Sequence, residues 1–133
     1  MMTESMTARL IQTANGRNEG LEMRVQLVYA PLDPYALHLS FKIGLGWVRW
    51  VFARELLADG MIFEAGQGDV RIIPDEDTID VVLDSPSGTA RLAFSRADFE
   101  RALDVIEGLV PTGTEHEKFD FDREIAKLGD LAA

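Results

Sequence analysis

The 133 residues carry 13 basic against 23 acidic side chains, a formal net charge of −10, and a field of that sign repels phosphate backbones and anionic membrane surfaces. Cysteine is absent and only His38 and His116 supply imidazole, which removes disulfides, thiol nucleophiles and Cys-ligated zinc. With 47% apolar and 27% charged residues the composition is that of a single folded domain, and the lack of a long apolar run or a basic-then-apolar leader makes a cytoplasmic protein the expectation.

Residues 5–13 are expected to form the first strand, followed by a loop over Asn15-Gly16-Arg17-Asn18-Glu19-Gly20. Val25, Leu27 and Tyr29 then alternate with Arg24, Gln26 and Val28, and Tyr35, Leu37, Leu39, Phe41 and Ile43 alternate with Ala36, His38, Ser40 and Lys42. A period of two marks half-buried strands, and Ala30-Pro31-Leu32-Asp33-Pro34 supplies the turn of an antiparallel hairpin. After Gly44 and Gly46, the run Trp47 to Phe52 reads as a strand with Trp50 and Phe52 on one face. It leads into a short helix, Ala53 to Asp59, with Gly60 suited to the C′ position.

The plan then repeats. Val70 to Ile73 is extended; Ile79, Val81 and Leu83 alternate with Asp80 and Asp84; Ala90, Leu92 and Phe94 alternate with Arg91. Ser85-Pro86-Ser87-Gly88 closes the hairpin between the last two. Ser95 is the expected N-cap of a helix with Asp98 in its first turn, a buried stripe of Phe99, Ala102, Leu103 and Ile106, and a stop at Gly108 and Pro111. In the acidic tail beyond Thr112, the i, i+4, i+7 spacing of Phe121, Ile125 and Leu128 predicts a final amphipathic helix, docked on the body or on a neighbouring subunit. Antiparallel strands followed by a helix, twice over, make an α+β protein.

Chemistry is thinly represented. Glu115-His116-Glu117, with Asp120 and Asp122, offers nitrogen and oxygen ligands, but no second histidine stands at i+3 or i+4, so a solvated acidic loop is the better account. Gly66-Gln67-Gly68-Asp69 feeds the strand at Val70 and not a helix N-terminus, so it reads as a tight turn with glycines at positive φ and not as a phosphate loop. Glu55 with Asp59, and the run Asp75-Glu76-Asp77, read as a solvated helix face and a solvated turn. Neither a Ser-His-Asp order nor a Gly-x-Ser-x-Gly elbow is present. No enzyme activity, cofactor or metal is expected. Trp47 and Trp50 beside Arg49 and Arg54 have the mixture a single-strand nucleic-acid platform uses, although core filling accounts for at least one tryptophan and the net charge opposes the rest.

The segment from Trp50 to Pro74 resembles the signature of the SsgA-like proteins, small sporulation and cell-division proteins of actinomycetes. The matching residues are Trp50-Val51-Phe52-Ala53-Arg54-Glu55-Leu56-Leu57-Ala58-Asp59-Gly60, then Gly66-Gln67-Gly68-Asp69-Val70-Arg71, then Pro74. Asp33 to His38, Val82 to Gly88, and Pro111-Thr112-Gly113-Thr114-Glu115-His116 extend the match over nearly all of the chain from about residue 25. Ile73 stands where the family has tryptophan, and Glu55 where aspartate is common.

The resemblance implies a bell-shaped homotrimer with a fold similar to the whirly and mitochondrial guide-RNA-binding proteins. It further implies a non-enzymatic regulator, recruited to the division septum, that helps place the tubulin-like GTPase FtsZ alongside other SsgA-like proteins. Within the matching motifs, Arg54, Asp59, Asp69, Arg71 and Trp50 are the candidate site residues. The four charged ones sit at element ends, where ion pairing and capping within the fold compete with contact to a partner. Appreciable binding of single-stranded DNA or RNA at physiological salt is not expected.

Overall fold

A computed structural model describes residues 1–12, 20–43, 45–117, 125, 126 and 128. Alternation decides which way each strand faces. In β1 (Met2–Gln12) Met2, Met6, Ala8 and Leu10 are buried while Thr3, Ser5, Thr7 and Arg9 are exposed. In β2 (Leu21–Tyr29) Met23, Val25, Leu27 and Tyr29 turn inward, and in β3 (Ala36–Ile43) Leu37, Leu39 and Phe41 do so. β4 (Gly46–Ala53) buries only Phe52 fully. The second half contains β5 (Ala65–Gln67), β6 (Val70–Pro74), β7 (Thr78–Ser85) and β8 (Gly88–Ser95), with Ile72, Ile79, Val81, Leu83, Leu92 and Phe94 inside.

Among the described residues the eight strands form one sheet in the order β4-β3-β2-β1-β8-β7-β6-β5, every pairing antiparallel. The two predicted blocks are therefore two meanders of one sheet, joined where Ala8 of β1 pairs with Phe94 of β8. Each meander ends in a helix. α1 (Arg54–Gly60) follows β4 at one edge yet packs on β5 and β6 at the other, and α2 (Arg96–Leu109) packs on β8 and β1. The sheet curls around the core they cover, whose centre includes the stacked rings of Phe94 and Phe99, 4.5 Å apart.

Several local expectations are revised. β1 begins at Met2, three residues early, and the loop at 15–19 lies outside the described residues. Tyr35 precedes β3 and is half exposed, because the turn ends only there. β5 was not foreseen; three residues carry no readable period. Gly60 is the last residue of α1 and not C′, the cap being Met61 in the right-handed region. In the β5–β6 turn only Gly68 has positive φ, +59°, while Gly66 is a strand residue. Ser95 is the N-cap of α2 but its side chain makes no capping bond, and the helix runs past Gly108 to Leu109. The predicted final helix rests on Phe121, outside the described residues, and the described Ile125 and Leu128 are exposed. Among the described residues no helix is long and apolar enough to cross a membrane.

Candidate functional site

Arg54, the first residue of α1, is 6% exposed. A buried guanidinium must satisfy its donors inside the fold, and this one does so with residues from three distant segments. Nη1 donates to the Tyr29 hydroxyl at 3.3 Å, and the guanidinium carbon lies 5.7 Å from the Tyr29 ring centroid. Nη2 donates to Glu107 Oε2 at 2.8 Å and to Thr112 Oγ1 at 3.3 Å, and Nη1 is 3.6 Å from Glu115 Oε1. The acceptors are themselves fixed. Tyr29 donates its own proton to the Pro34 carbonyl at 3.0 Å, which pins the hairpin turn. The Glu107 carboxylate accepts from the Thr112 amide and hydroxyl at 2.8 and 2.6 Å, and Glu115 accepts from the Gly113 amide at 2.9 Å.

This network ties the first hairpin, the start of α1, the last turn of α2 and the segment 111–117 into one corner. A cleft of about 390 Å³ opens beside it, lined by Tyr35, Arg54, Glu55, Asp59, Thr112 and Glu115 among others. Three of the segments that carry the family resemblance, 33–38, 50–60 and 111–116, thus converge there although they are far apart in sequence. The charge of Arg54 is met by Glu107 and Glu115, so Glu55 and Asp59 leave the rim acidic. Burial pushes the Tyr29 phenol up, against the opposing pull of Arg54. The two hydrogen bonds from Thr112 hold the Glu107 carboxyl below its ordinary value, with Arg54 adding to them.

The five candidate residues are only partly brought together. Arg54 and Asp59 both line the cleft, and the Asp59 carbonyl accepts from the amides of Ile62 and Phe63 at 3.0 Å each, closing the end of α1. Trp50 is half-buried against the core and pairs with Leu39. Asp69 and Arg71 lie in the β5–β6 hairpin. Asp69 is exposed, with its carbonyl accepting from the Asp84 amide at 2.9 Å, and the exposed Arg71 is 3.7 Å from Glu64. Glu55 lines the cleft and Glu115 is engaged by Arg54. Asp120 and Asp122 lie outside the described residues, and among the described residues no group of three His, Asp or Glu is placed to hold a metal.

Sequence reasoning overlooked Tyr29 and Glu107. A tyrosine at a fully buried strand position calls for a hydroxyl partner, which was a usable signal; Glu107, at the exposed end of a helix, gave none. A second clamp was equally hidden. Arg96 donates to the carbonyls of Met61 at 2.8 Å, Glu76 at 3.0 Å and Asp75, holding the end of α1 to the β6–β7 turn.

Residues 23–115 match the family model described as "Streptomyces sporulation and cell division protein, SsgA". The chain is 40% identical over 124 residues to the sporulation-specific cell division protein SsgB of Kineococcus radiotolerans, covering 89% of this chain and 74% of that protein. It is likewise 40% identical to SsgB of Streptomyces coelicolor, over 77% of this chain and 78% of the relative. Among solved structures, the SsgA-like sporulation-specific cell division protein from Thermobifida fusca superposes with a TM-score of 0.83 at 37% identity, covering 95% of this chain and 93% of that one. A structure reported with mutations in SsgB that correlate to longitudinal cell division during sporulation of Streptomyces coelicolor gives 0.80 at 35% identity, over 88% and 94%.

Proposed function

The chain belongs to the SsgA family of sporulation and cell division proteins, and from that premise we propose that it is a non-enzymatic adaptor that helps position FtsZ and the septum during sporulation-type division. The observation that carries this reading is the 40% identity to proteins named for sporulation-specific cell division. The site supports it. A buried arginine held at both terminal nitrogens, with acceptors fixed by bonds within the fold, forms a rigid corner that presents an acidic rim. A rigid cleft between three segments suits recognition of another protein.

On this reading the protein acts as a homotrimer, joins other SsgA-like proteins, and is recruited to the septum from the cytoplasm. The two meander-plus-helix halves support the likeness to the whirly fold. Fold alone assigns no activity. The test is co-sedimentation with FtsZ polymerised by GTP, using protein whose sedimentation velocity gives three times the 14.8 kDa chain mass. The protein should enter the pellet with polymer and stay in the supernatant with GDP-bound FtsZ. A protein that remains soluble beside FtsZ polymer, alone and with an SsgA-like partner added, overturns the adaptor reading.

A further inference from the structure

Among the described residues the side-chain cations divide into matched and unmatched sets. Arg54, Arg71, Arg91, Arg96 and Arg101 each reach an acceptor within the chain: Arg91 meets Asp80 at 2.7 Å, Arg101 meets Asp98 at 2.8 Å, and the others are matched as described. Arg9, Arg24, Lys42 and Arg49 are exposed and reach no acceptor among the described residues. All four sit on the outer face of the first meander. The pairings Arg9 with Glu22, Thr7 with Arg24, Lys42 with Trp47 and Ser40 with Arg49 place them on four adjacent strands, with Glu22 the one carboxylate paired among them. In a chain of net charge −10, an unneutralised basic face is a local inversion of the field, and it attracts anions.

Among the described residues that face ends in an open strand edge. β4 is the terminal strand, and its eight-residue register with β3 has neither bulge nor proline, whereas the opposite edge, β5, is only three residues long. Short edges are protected and long regular ones accept another strand. β4 also exposes apolar groups on both faces, Val51 at 53% and Trp47 at 48% on the outer one and Val48 at 39% on the inner. Trp47 borders a groove of about 360 Å³ that reaches Arg24. The Arg54 amide donates to the Tyr35 carbonyl at 2.8 Å, and antiparallel ladders alternate. Phe52, Trp50 and Val48 therefore turn their backbone groups toward β3, and Val51, Arg49 and Trp47 turn theirs outward.

We propose that β4 is a strand-addition site for an extended acidic segment of a protein partner, which pairs with the outward backbone of Trp47, Arg49 and Val51 and aims its carboxylates at Arg49 and Lys42. The main chain supplies affinity and the cations supply selectivity. A second copy is a poor occupant, because β4 against β4 brings Arg49 against Arg49 and one basic face beside another. A nucleic acid satisfies the cations but offers no strand backbone. The inference rests on the adaptor reading only for the existence of a protein partner; FtsZ co-sedimentation tests that reading separately, so either can fail alone.

The probe is a fluorescent peptide of about ten residues alternating glutamate with valine, titrated against the full chain by anisotropy. Saturable binding is expected, weakened at least about tenfold when the peptide is N-methylated at alternate residues along its pairing edge. Arg49→Glu should weaken it comparably with an unchanged melting temperature. Val51→Pro removes one outward N–H while leaving the β3 ladder intact, as an edge strand tolerates, and should also weaken it. If Val51→Pro does not fold, the N-methylated peptide against the unaltered chain carries the same test. Equal affinity for the methylated peptide, or for a peptide alternating glutamine with valine, overturns the proposal. So does displacement of the peptide by a mixed-sequence single-stranded oligonucleotide at equal charge concentration, or a change of sedimenting mass in Arg49→Glu, which would make the edge a contact between copies.

Discussion

Arg54→Met lowers the melting temperature by about 10 °C, the shift expected when about 3 kcal/mol is lost from a chain of this size. Methionine keeps the length and the apolar stem and deletes the fork. Tyr29 then loses a donor, Thr112 loses another, and Glu107 and Glu115 face each other across a site with no cation. Removing one partner of a buried pair costs about 3–5 kcal/mol; the lower end applies because the Glu107 side chain is 52% exposed and rehydrates. Arg54→Lys keeps the charge but cannot span Tyr29, Glu107 and Glu115 at once, and should cost about half as much. Differential scanning calorimetry decides it. Were Arg54 a contact for a partner and nothing more, both variants would melt with the parent.

The same corner sets a pH dependence. The Glu107 carboxyl is held below its ordinary value of 4.5, chiefly by Thr112 and secondarily by Arg54. A depressed carboxylate contributes stability that is present above its unfolded value and is lost as pH falls through its folded one. The melting temperature should therefore fall on acidification below 4.5, and Glu107→Gln should make that fall shallower. Glutamine retains an acceptor for the Thr112 amide, so the difference between the two acid limbs isolates the charge.

The period-two strands were legible because burial on one face leaves an alternation that local reading detects: Leu27 and Tyr29, Leu37 and Leu39, Ile79 and Val81, Leu92 and Phe94 all lie inside as their spacing requires. What joins them was not. The pairing of Ala8 with Phe94 that fuses two meanders into one sheet spans most of the chain, and a strand's own pattern does not name its neighbour. The candidate site divides in the same way. Arg54 stood out in its motif, but Tyr29 lies 25 residues before it and Glu107 lies 53 after, and only the fold brings them within a hydrogen bond. The basic face was hidden for the converse reason. A net charge of −10 averages over the chain, and side-chain alternation across four strands, not composition, collects Arg9, Arg24, Lys42 and Arg49 on one side. Gly60 was singled out with the wrong cause, since a glycine after helix formers signals either a left-handed cap or a close approach, and sequence does not separate the two.

That ambiguity gives a test with opposite signs at two glycines. Gly60 is the last residue of α1 and its φ is not positive, so an alanine there meets no backbone strain and on helix propensity alone would gain up to about 1 kcal/mol. Its Cβ, however, would collide with Ile72 Cγ2 and stand 2.6 Å from Ile72 Cβ. Ile72 is fully buried in β6, and its Cβ is fixed to the strand, so no rotamer relieves the clash and α1 itself must lift away. Overpacking of this kind costs about 1–3 kcal/mol, which outweighs the propensity gain. Gly108, inside α2, has nothing within 4 Å of the corresponding position, and alanine there should gain about 0.4–1 kcal/mol by restricting the unfolded chain. Gly60→Ala is therefore expected to melt several degrees below the parent and Gly108→Ala a few degrees above it. Two increases would mean that α1 does not press on β6 as the structure has it. A decrease at Gly60 alone carries a functional corollary, because the displaced helix bears Arg54, Glu55 and Asp59: the cleft should loosen with it, and Gly60→Ala should weaken co-sedimentation with FtsZ at temperatures where the variant is still folded.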